Sequence, residues 1–147
     1  MLDTEIDTRQ HLAIYFSRSG FRGGIALENI RLETSTRQAD GFEILDVSGE
    51  IDVYTAPQFK EAVNSIIASG QKDLIINMAQ VSYMDSSGFG TLLSATKRLR
   101  PEGGTVNLVA VNSAIERMLK ITRLNTVFGT FSTVEEAVHR VSPKKGT

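Results

Sequence analysis

Polar and apolar residues alternate in the first regular part of this chain. From Ile30 to Thr34 apolar or β-branched residues alternate with Arg31 and Glu33, which predicts a half-exposed strand. Residues 39–41 read Ala-Asp-Gly, a turn sequence, and residues 42–49 form a second strand-like segment. These signals predict an antiparallel hairpin.

A helical period follows the hairpin. Thr55 is the predicted N-cap, with Pro57 in the first turn, Gln58 completing a capping box, and Gly70 ending the helix. The apolar residues at core spacing in this helix are Phe59, Ala62, Val63, Ile66 and Ile67.

The middle of the chain predicts a buried strand followed by an amphipathic helix. Residues 74–78 are mostly apolar, and the helix after Ser86 is stopped by residues 101–104, Pro-Glu-Gly-Gly. Its predicted inner face comprises Phe89, Leu92, Leu93, Thr96 and Leu99. We expect Met78, Met84 and Met118 in the core.

The last third repeats the alternation of strand and helix. Residues 106–111 predict a strand, and 113–116 a capping box that begins a short helix. Residues 127–131 predict an edge strand, and 133–136 a third capping box. The order is β-β-α-β-α-β-α-β-α, and helical crossovers require mostly parallel strands. The predicted fold class is α/β: one domain with a mixed, mostly parallel sheet, opened by an antiparallel hairpin and packed with about four helices.

The two ends of the chain lack this pattern. Residues 1–28 are predicted to be a flexible extension, because residues 17–24 are glycine-rich and basic without periodicity. Residues 12–16, Leu-Ala-Ile-Tyr-Phe, suggest an extra strand or a helical turn. The predicted domain is 29–142, and residues 143–147 form a disordered tail.

Composition excludes several classes of function. The chain has no cysteine, so thiol catalysis and thiolate metal sites are excluded, and its two histidines, His11 and His139, lie in no recognisable motif. A net charge of −1 argues against nucleic acid as a partner. No apolar run approaches the roughly 18–20 residues needed to span a bilayer, and no signal peptide is evident. We therefore expect a cytoplasmic protein without metal or cofactor and without a membrane interaction.

The candidate chemistry lies where the buried strand meets the following helix. Residues 85–90 read Asp-Ser-Ser-Gly-Phe-Gly, and Asp52 follows the preceding strand. Because parallel strands end at one edge of a sheet, we expect Asp52, Asp85, Ser86 and Ser87 to lie together there.

The two serines allow three interpretations. A nucleophilic serine needs G-x-S-x-G and a histidine base, which are missing here. Ser86 and Ser87 could simply cap the helix. Alternatively, one of them accepts a phosphate, whose charge would add to those of Asp52 and Asp85 and repel a partner without melting the domain. The short Gly88-Phe89-Gly90 pattern is only a weak signal for nucleotide binding.

Residues 49–57 and 81–90 resemble signature stretches of bacterial anti-sigma factor antagonists of the STAS domain type, and residues 112–124 are similar to that family's third helix and following turn. The resemblance covers about residues 30–141. It implies a non-enzymatic regulator of transcription, for example in a stress response.

The resemblance also implies partners and a switch. Unmodified family members bind a serine kinase that acts as an anti-sigma factor and thereby release a sigma factor. Phosphorylation of the serine after Asp, here Ser86 with Ser87 as the alternative, abolishes binding, and a PP2C-like phosphatase reverses it. The implied partner-binding residues are Asp52, Asp85, Ser86, Ser87 and Gly88.

Two other functions stay open at this point. The chain could be a constitutive scaffold in a signalling assembly, or a module that senses a nucleotide or another small ligand. We expect a monomer or weak dimer when free. Tyr54 and Tyr83 are predicted to be partly buried, and Lys97, Arg98 and Arg100 to form a solvated face or a partner contact.

Overall fold

The computed structural model describes residues 31–143. The predicted extension 1–28, the patch at 12–16, Ile30 and residues 144–147 lie outside the described residues. The domain limits therefore remain predictions at both ends.

Five strands form one mixed sheet in the order β1-β2-β3-β4-β5. The strands are β1 Leu32–Ala39, β2 Phe42–Ile51, β3 Asp73–Met84, β4 Thr105–Val109 and β5 Gly129–Phe131. β1 pairs antiparallel with β2, and the other neighbouring strands pair in parallel. The predicted hairpin and the predicted mixed sheet are both confirmed.

Four helices connect the parallel strands and follow the last one. They are α1 Ala56–Ala68, α2 Ser86–Leu99, α3 Ser113–Ile121 and α4 Val134–Val141. The predicted order of elements is confirmed. β3 is longer than predicted, and β5 is shorter because Leu124–Thr126 form a 3₁₀ turn before it.

The sheet buries apolar residues on both faces. The main cluster joins alternate residues of β2 and β3, such as Leu45, Val47 and Ile76, to the buried faces of α1 and α2. A smaller cluster on the other face includes Ile44, Ile75 and Val138 of α4. Met78 and Met84 are buried as predicted, whereas Met118 is 43% and Leu93 36% exposed, so their predicted inward positions are wrong.

Two of the three predicted capping boxes are wrong. At α1 the Thr55 side chain makes no capping hydrogen bond, and Gln58 donates instead to the Leu32 carbonyl at 3.1 Å. At α3 the cap is Asn112, one residue before Ser113. At α4 Thr133 is the cap, as predicted. The Glu136 carboxylate, however, accepts from the backbone N–H of Ser132, the residue before Thr133.

Candidate functional site

β2 and β3 end side by side. Ile51 lies opposite Met84 in the parallel register, and the backbone N–H of Asp85 donates to the Ile51 carbonyl at 3.0 Å. Asp52 directly follows the end of β2, and Asp85 directly follows the end of β3. The structure therefore brings both acidic loops to the carboxyl edge of the sheet, as the topology predicted.

Asp52 is a buried carboxylate that organises its own loop. It is 8% exposed, and its Oδ1 accepts from the backbone N–H groups of Tyr54 at 2.9 Å and Thr55 at 3.0 Å. The Thr55 hydroxyl donates to the Glu50 carbonyl at 2.8 Å and accepts from the Asp52 N–H at 2.9 Å. The Thr55 hydroxyl is thus engaged with the loop, which explains why it does not cap α1.

Arg31 neutralises the acidic side of this loop. Its Nη2 forms ion pairs with the carboxylates of Asp52 and Glu50, the second at 2.6 Å. Burial acts to raise the pKa of Asp52, but the two backbone hydrogen bonds and the Arg31 charge outweigh it, so the pKa lies below its ordinary value. The pKa of Arg31 is raised, chiefly because its guanidinium donates a hydrogen bond to Glu50. This ion pair was not predicted, because Arg31 and Asp52 are 21 residues apart in the sequence.

Asp85 is the N-cap of α2. Its backbone is extended, and its Oδ1 accepts from the Ser87 N–H at 2.9 Å and from the Ser87 hydroxyl at 2.5 Å. The interpretation that Ser86 or Ser87 caps this helix is therefore wrong. An ionised carboxylate at a helix N-terminus is also favoured by the helix dipole.

The two serines differ in their surroundings. Ser87 is half-buried and held by Asp85, whereas Ser86 is exposed at the first position of α2. Within residues 31–143 the Ser86 hydroxyl takes part in no hydrogen bond. The Ser86 oxygen is therefore accessible to a reagent without breaking an existing contact.

Gly88 brings α2 close to the strand ends. It is buried, and a Cβ there would lie 2.4 Å from Met84 Cγ and 2.8 Å from Ile51 Cγ2. Only glycine permits this approach without a shift of its neighbours. The absence of a side chain at Gly88 therefore allows the first turn of α2 to pack closely against the ends of β2 and β3.

A third loop joins this edge. The Asn112 amide donates to the carbonyls of Val81 at 3.2 Å and Ser82 at 3.3 Å, while its oxygen accepts from Ile115 N–H at 2.8 Å. Asn112 thus caps α3 and ties it to the end of β3. The sequence analysis assigned no role to Asn112.

Apolar side chains are exposed beside the acidic loops. Val53 is 65%, Tyr54 59% and Tyr83 51% exposed. The prediction that the two tyrosines are partly buried is wrong, because more than half of each is exposed. Because Tyr83 lies opposite Glu50, these side chains and Asp52 belong to one end of the molecule.

Basic residues of α2 and of the turn after it lie on the surface, as predicted. Lys97, Arg98 and Arg100 are exposed, and Arg98 donates to Asn64 Oδ1 of α1 at 2.7 Å. Arg98 therefore links two helices, a contact that the sequence did not indicate.

His139 lies in α4, which packs on the opposite sheet face to α1 and α2. Among residues 31–143 no group of three or more acidic or histidine side chains is placed to hold a metal ion. In the same part of the chain, no helix has the length and apolar character of a membrane span.

Comparisons with known proteins match this architecture. A family model described as the STAS domain matches residues 33–137. The anti-sigma-B factor antagonist of Staphylococcus aureus strain NCTC 8325 is 35% identical over 96 residues, which are 65% of this chain and 87% of that protein. The protein of the same name from Staphylococcus epidermidis is 36% identical over 96 residues, with the same coverage of both chains.

Solved structures show the same fold. An anti-sigma factor antagonist from Mycobacterium paratuberculosis superposes with a TM-score of 0.69 and 30% identity, covering 75% of this chain and 93% of that one. Unphosphorylated SpoIIAA superposes with a TM-score of 0.63 and 22% identity, covering 74% and 96%, a likeness of fold alone.

Proposed function

This chain belongs to the STAS domain family, and we propose that it acts as an anti-sigma factor antagonist. The staphylococcal relatives carry that name at 35% and 36% identity. Our proposal places the partner surface at the carboxyl edge of the sheet, around Asp52, Asp85, Ser86, Ser87 and Gly88. The partner would be an anti-sigma factor of the serine-kinase type.

Ser86 is the proposed phosphate acceptor. The observation that carries this assignment is the contrast between the exposed Ser86 hydroxyl and the Ser87 hydroxyl, which donates to Asp85 at 2.5 Å. Transfer to Ser87 would have to break that charge-assisted hydrogen bond, whereas transfer to Ser86 breaks none among the described residues.

A phosphate on Ser86 would change the surface more than the fold. The positive end of the α2 helix dipole favours an added anion locally, although the Asp85 carboxylate already accepts from the Ser87 N–H. The same phosphate would add up to two negative charges next to the Asp85 carboxylate. A partner that docks on this edge would meet like-charge repulsion and a higher desolvation cost, so modification would release it. A PP2C-like phosphatase would reset the switch.

Phosphate mapping tests the proposal directly. The full chain is incubated with a purified anti-sigma factor serine kinase and ATP, and peptides are sequenced by mass spectrometry. We expect one phosphate on Ser86 in the wild type and in Ser87→Ala, and none in Ser86→Ala. Phosphate confined to Ser87 would contradict the assignment of the acceptor. A stable complex with no phosphate on either serine would favour a constitutive scaffold.

A further inference from the structure

Two exposed apolar side chains lie at the end of the sheet beside the site, Val53 and Tyr83, which we call the edge patch. They are 65% and 51% exposed. Glu50 lies opposite Tyr83 in the β2–β3 register, and Val53 follows Glu50 by three positions. Large apolar groups exposed together are typical of a surface that another segment covers.

The described chain begins beside the edge patch. Arg31 forms ion pairs with Glu50 and Asp52, and its carbonyl accepts from the Glu50 N–H at 2.8 Å. Arg31, Glu50 and Tyr83 thus lie across three neighbouring chain segments, and strand spacing separates the first from the last by about 10 Å. The 30 residues that precede Arg31 are therefore tethered next to the patch.

The preceding sequence carries complementary chemistry. Residues 12–16, Leu-Ala-Ile-Tyr-Phe, are all apolar or aromatic, and residues 17–24 contain Arg18 and Arg22 but no acidic residue. The edge carries the carboxylates of Glu50, Asp52 and Asp85, and the single positive charge of Arg31 is shared between the first two, so the described residues of these loops keep an excess of negative charge. The Glu50 side chain is 44% exposed. A linker of the length between Phe16 and Arg31 has an r.m.s. span of about 20 Å, so the apolar run reaches the patch easily.

We propose that residues 12–16 dock within the same molecule on the edge patch, with Arg18 and Arg22 beside the carboxylates of this edge. A short tether gives an effective concentration of about a millimolar, which favours this occupant over a second copy in dilute solution. The docked segment would cover part of the face that surrounds Ser86. The contact stands independently of the proposed function, whereas its consequence, competition with the partner, rests on that function.

The contact is measurable in the full chain because the sequence contains no cysteine. A nitroxide spin label on Ser17→Cys leaves residues 12–16 intact and reports proximity through broadening of ¹⁵N-amide signals. We expect the amides of Val53 and Tyr83 to lose intensity about twofold or more relative to the reduced label, since the tether keeps the docked state populated.

A matched variant separates docking from mere tethering. In the labelled chain, Leu12, Ile14 and Phe16 are all replaced by Ser, which leaves the tether length unchanged. Broadening at Val53 and Tyr83 should then fall to the weaker level that the flexible tether alone produces. Equal broadening in both chains would overturn the proposal, because it would reflect the tether alone.

Two other patterns would also overturn the proposal. Broadening centred on β1, at Ser35 and Thr36, would indicate strand addition at the sheet edge. Equally strong broadening of unlabelled ¹⁵N chain after spin-labelled ¹⁴N chain is added would indicate a second copy as occupant.

The regulatory consequence has its own readout. The triple Ser variant without a label should bind the anti-sigma factor kinase several-fold more tightly than the wild type, because the segment no longer competes. If the spin-label experiment verifies the contact but the triple Ser variant and the wild type bind the kinase with equal affinity, the proposed competition is wrong and the docking itself stands. Failure of both chains to bind the kinase would instead contradict the proposed function.

Discussion

The Asp85 carboxylate accepts hydrogen bonds from both the backbone N–H and the hydroxyl of Ser87, at 2.9 and 2.5 Å. One side chain therefore caps α2 and immobilises the second serine of the motif. The same arrangement leaves the hydroxyl of Ser86 exposed at the first helical position. The capping oxygen thus belongs to Asp85, and Ser86, which we propose as the phosphate acceptor, does not cap the helix.

The first prediction concerns stability at this cap. Asp85→Ala removes the acceptor for Ser87 and should lower the free energy of unfolding by about 1 kcal/mol. Asp85→Asn keeps a capping oxygen and serves as the control, with a smaller loss. Ser86→Ala should stay within about 0.5 kcal/mol of wild type, since it removes no described contact. Urea unfolding followed by circular dichroism measures all three, and a larger loss for Ser86→Ala than for Asp85→Ala would contradict this assignment of the cap.

The second prediction concerns the switch. Under phosphorylating conditions Ser86→Ala should hold the anti-sigma factor kinase permanently, whereas the wild type should release it as phosphate accumulates. Ser86→Asp should bind weakly, although one carboxylate charge imitates a phosphate poorly. Surface plasmon resonance with and without ATP gives the comparison. Equal affinity of the three proteins in the presence of ATP would refute the switch.

The third prediction uses two glycines of α2. Gly88→Ala would place a methyl group 2.4 Å from Met84 Cγ and 2.8 Å from Ile51 Cγ2, so the buried neighbours must shift. We expect a loss of about 1–3 kcal/mol in unfolding free energy. Gly90→Ala is the matched control, because a Cβ there meets nothing within 4 Å. That change should stabilise the helix by about 0.5–1 kcal/mol.

Thermal unfolding of both alanine variants tests this close approach. Stabilisation by Gly88→Ala similar to that by Gly90→Ala would mean that α2 is packed less tightly on Met84 than the structure has it.

The fourth prediction follows from the depressed pKa of Asp52. A carboxyl whose folded pKa lies below its unfolded pKa stabilises the fold fully above the unfolded value, about 3.9 for Asp. That stabilisation is lost as the pH falls from there through the lower folded pKa. Asp52→Asn keeps an acceptor for the N–H groups of Tyr54 and Thr55 but cannot be charged, so its stability should change less between pH 5 and pH 2, about the range in which Asp titrates.

Unfolding of the wild type and Asp52→Asn across this pH range checks the prediction. Arg31→Gln removes the charge of the partner and should show an intermediate pH dependence, because the backbone hydrogen bonds to Asp52 remain. Parallel pH curves for the wild type and Asp52→Asn would show that Asp52 is not a source of acid sensitivity.

The order and type of every described strand and α-helix follow from hydrophobic periodicity and turn residues, which are local properties, whereas the two 3₁₀ turns of the described residues were not predicted. Connection by helices then required parallel strands, so the sequence also predicted that Asp52 and Asp85 share one edge. The resemblance of residues 49–57 and 81–90 to the STAS family supplied the chemistry proposed for that edge. These inferences need no knowledge of which side chains touch.

Contacts between distant residues were decided only by the tertiary structure. Arg31 forms an ion pair with Asp52 across the β1–β2 hairpin, and the Asn112 amide donates to backbone carbonyls near the end of β3. Tyr83 is exposed because no element of residues 31–143 covers it. The sequence could not predict which side chains cap the helices, because Thr55 and Asp85 both carry oxygens that are able to cap. At α1 the Thr55 hydroxyl is engaged with the Asp52 loop, whereas at α2 the Asp85 carboxylate caps the helix. Because Asp85 provides this cap, the hydroxyl of Ser86 is not needed for it, which supports the proposal that Ser86 accepts the phosphate.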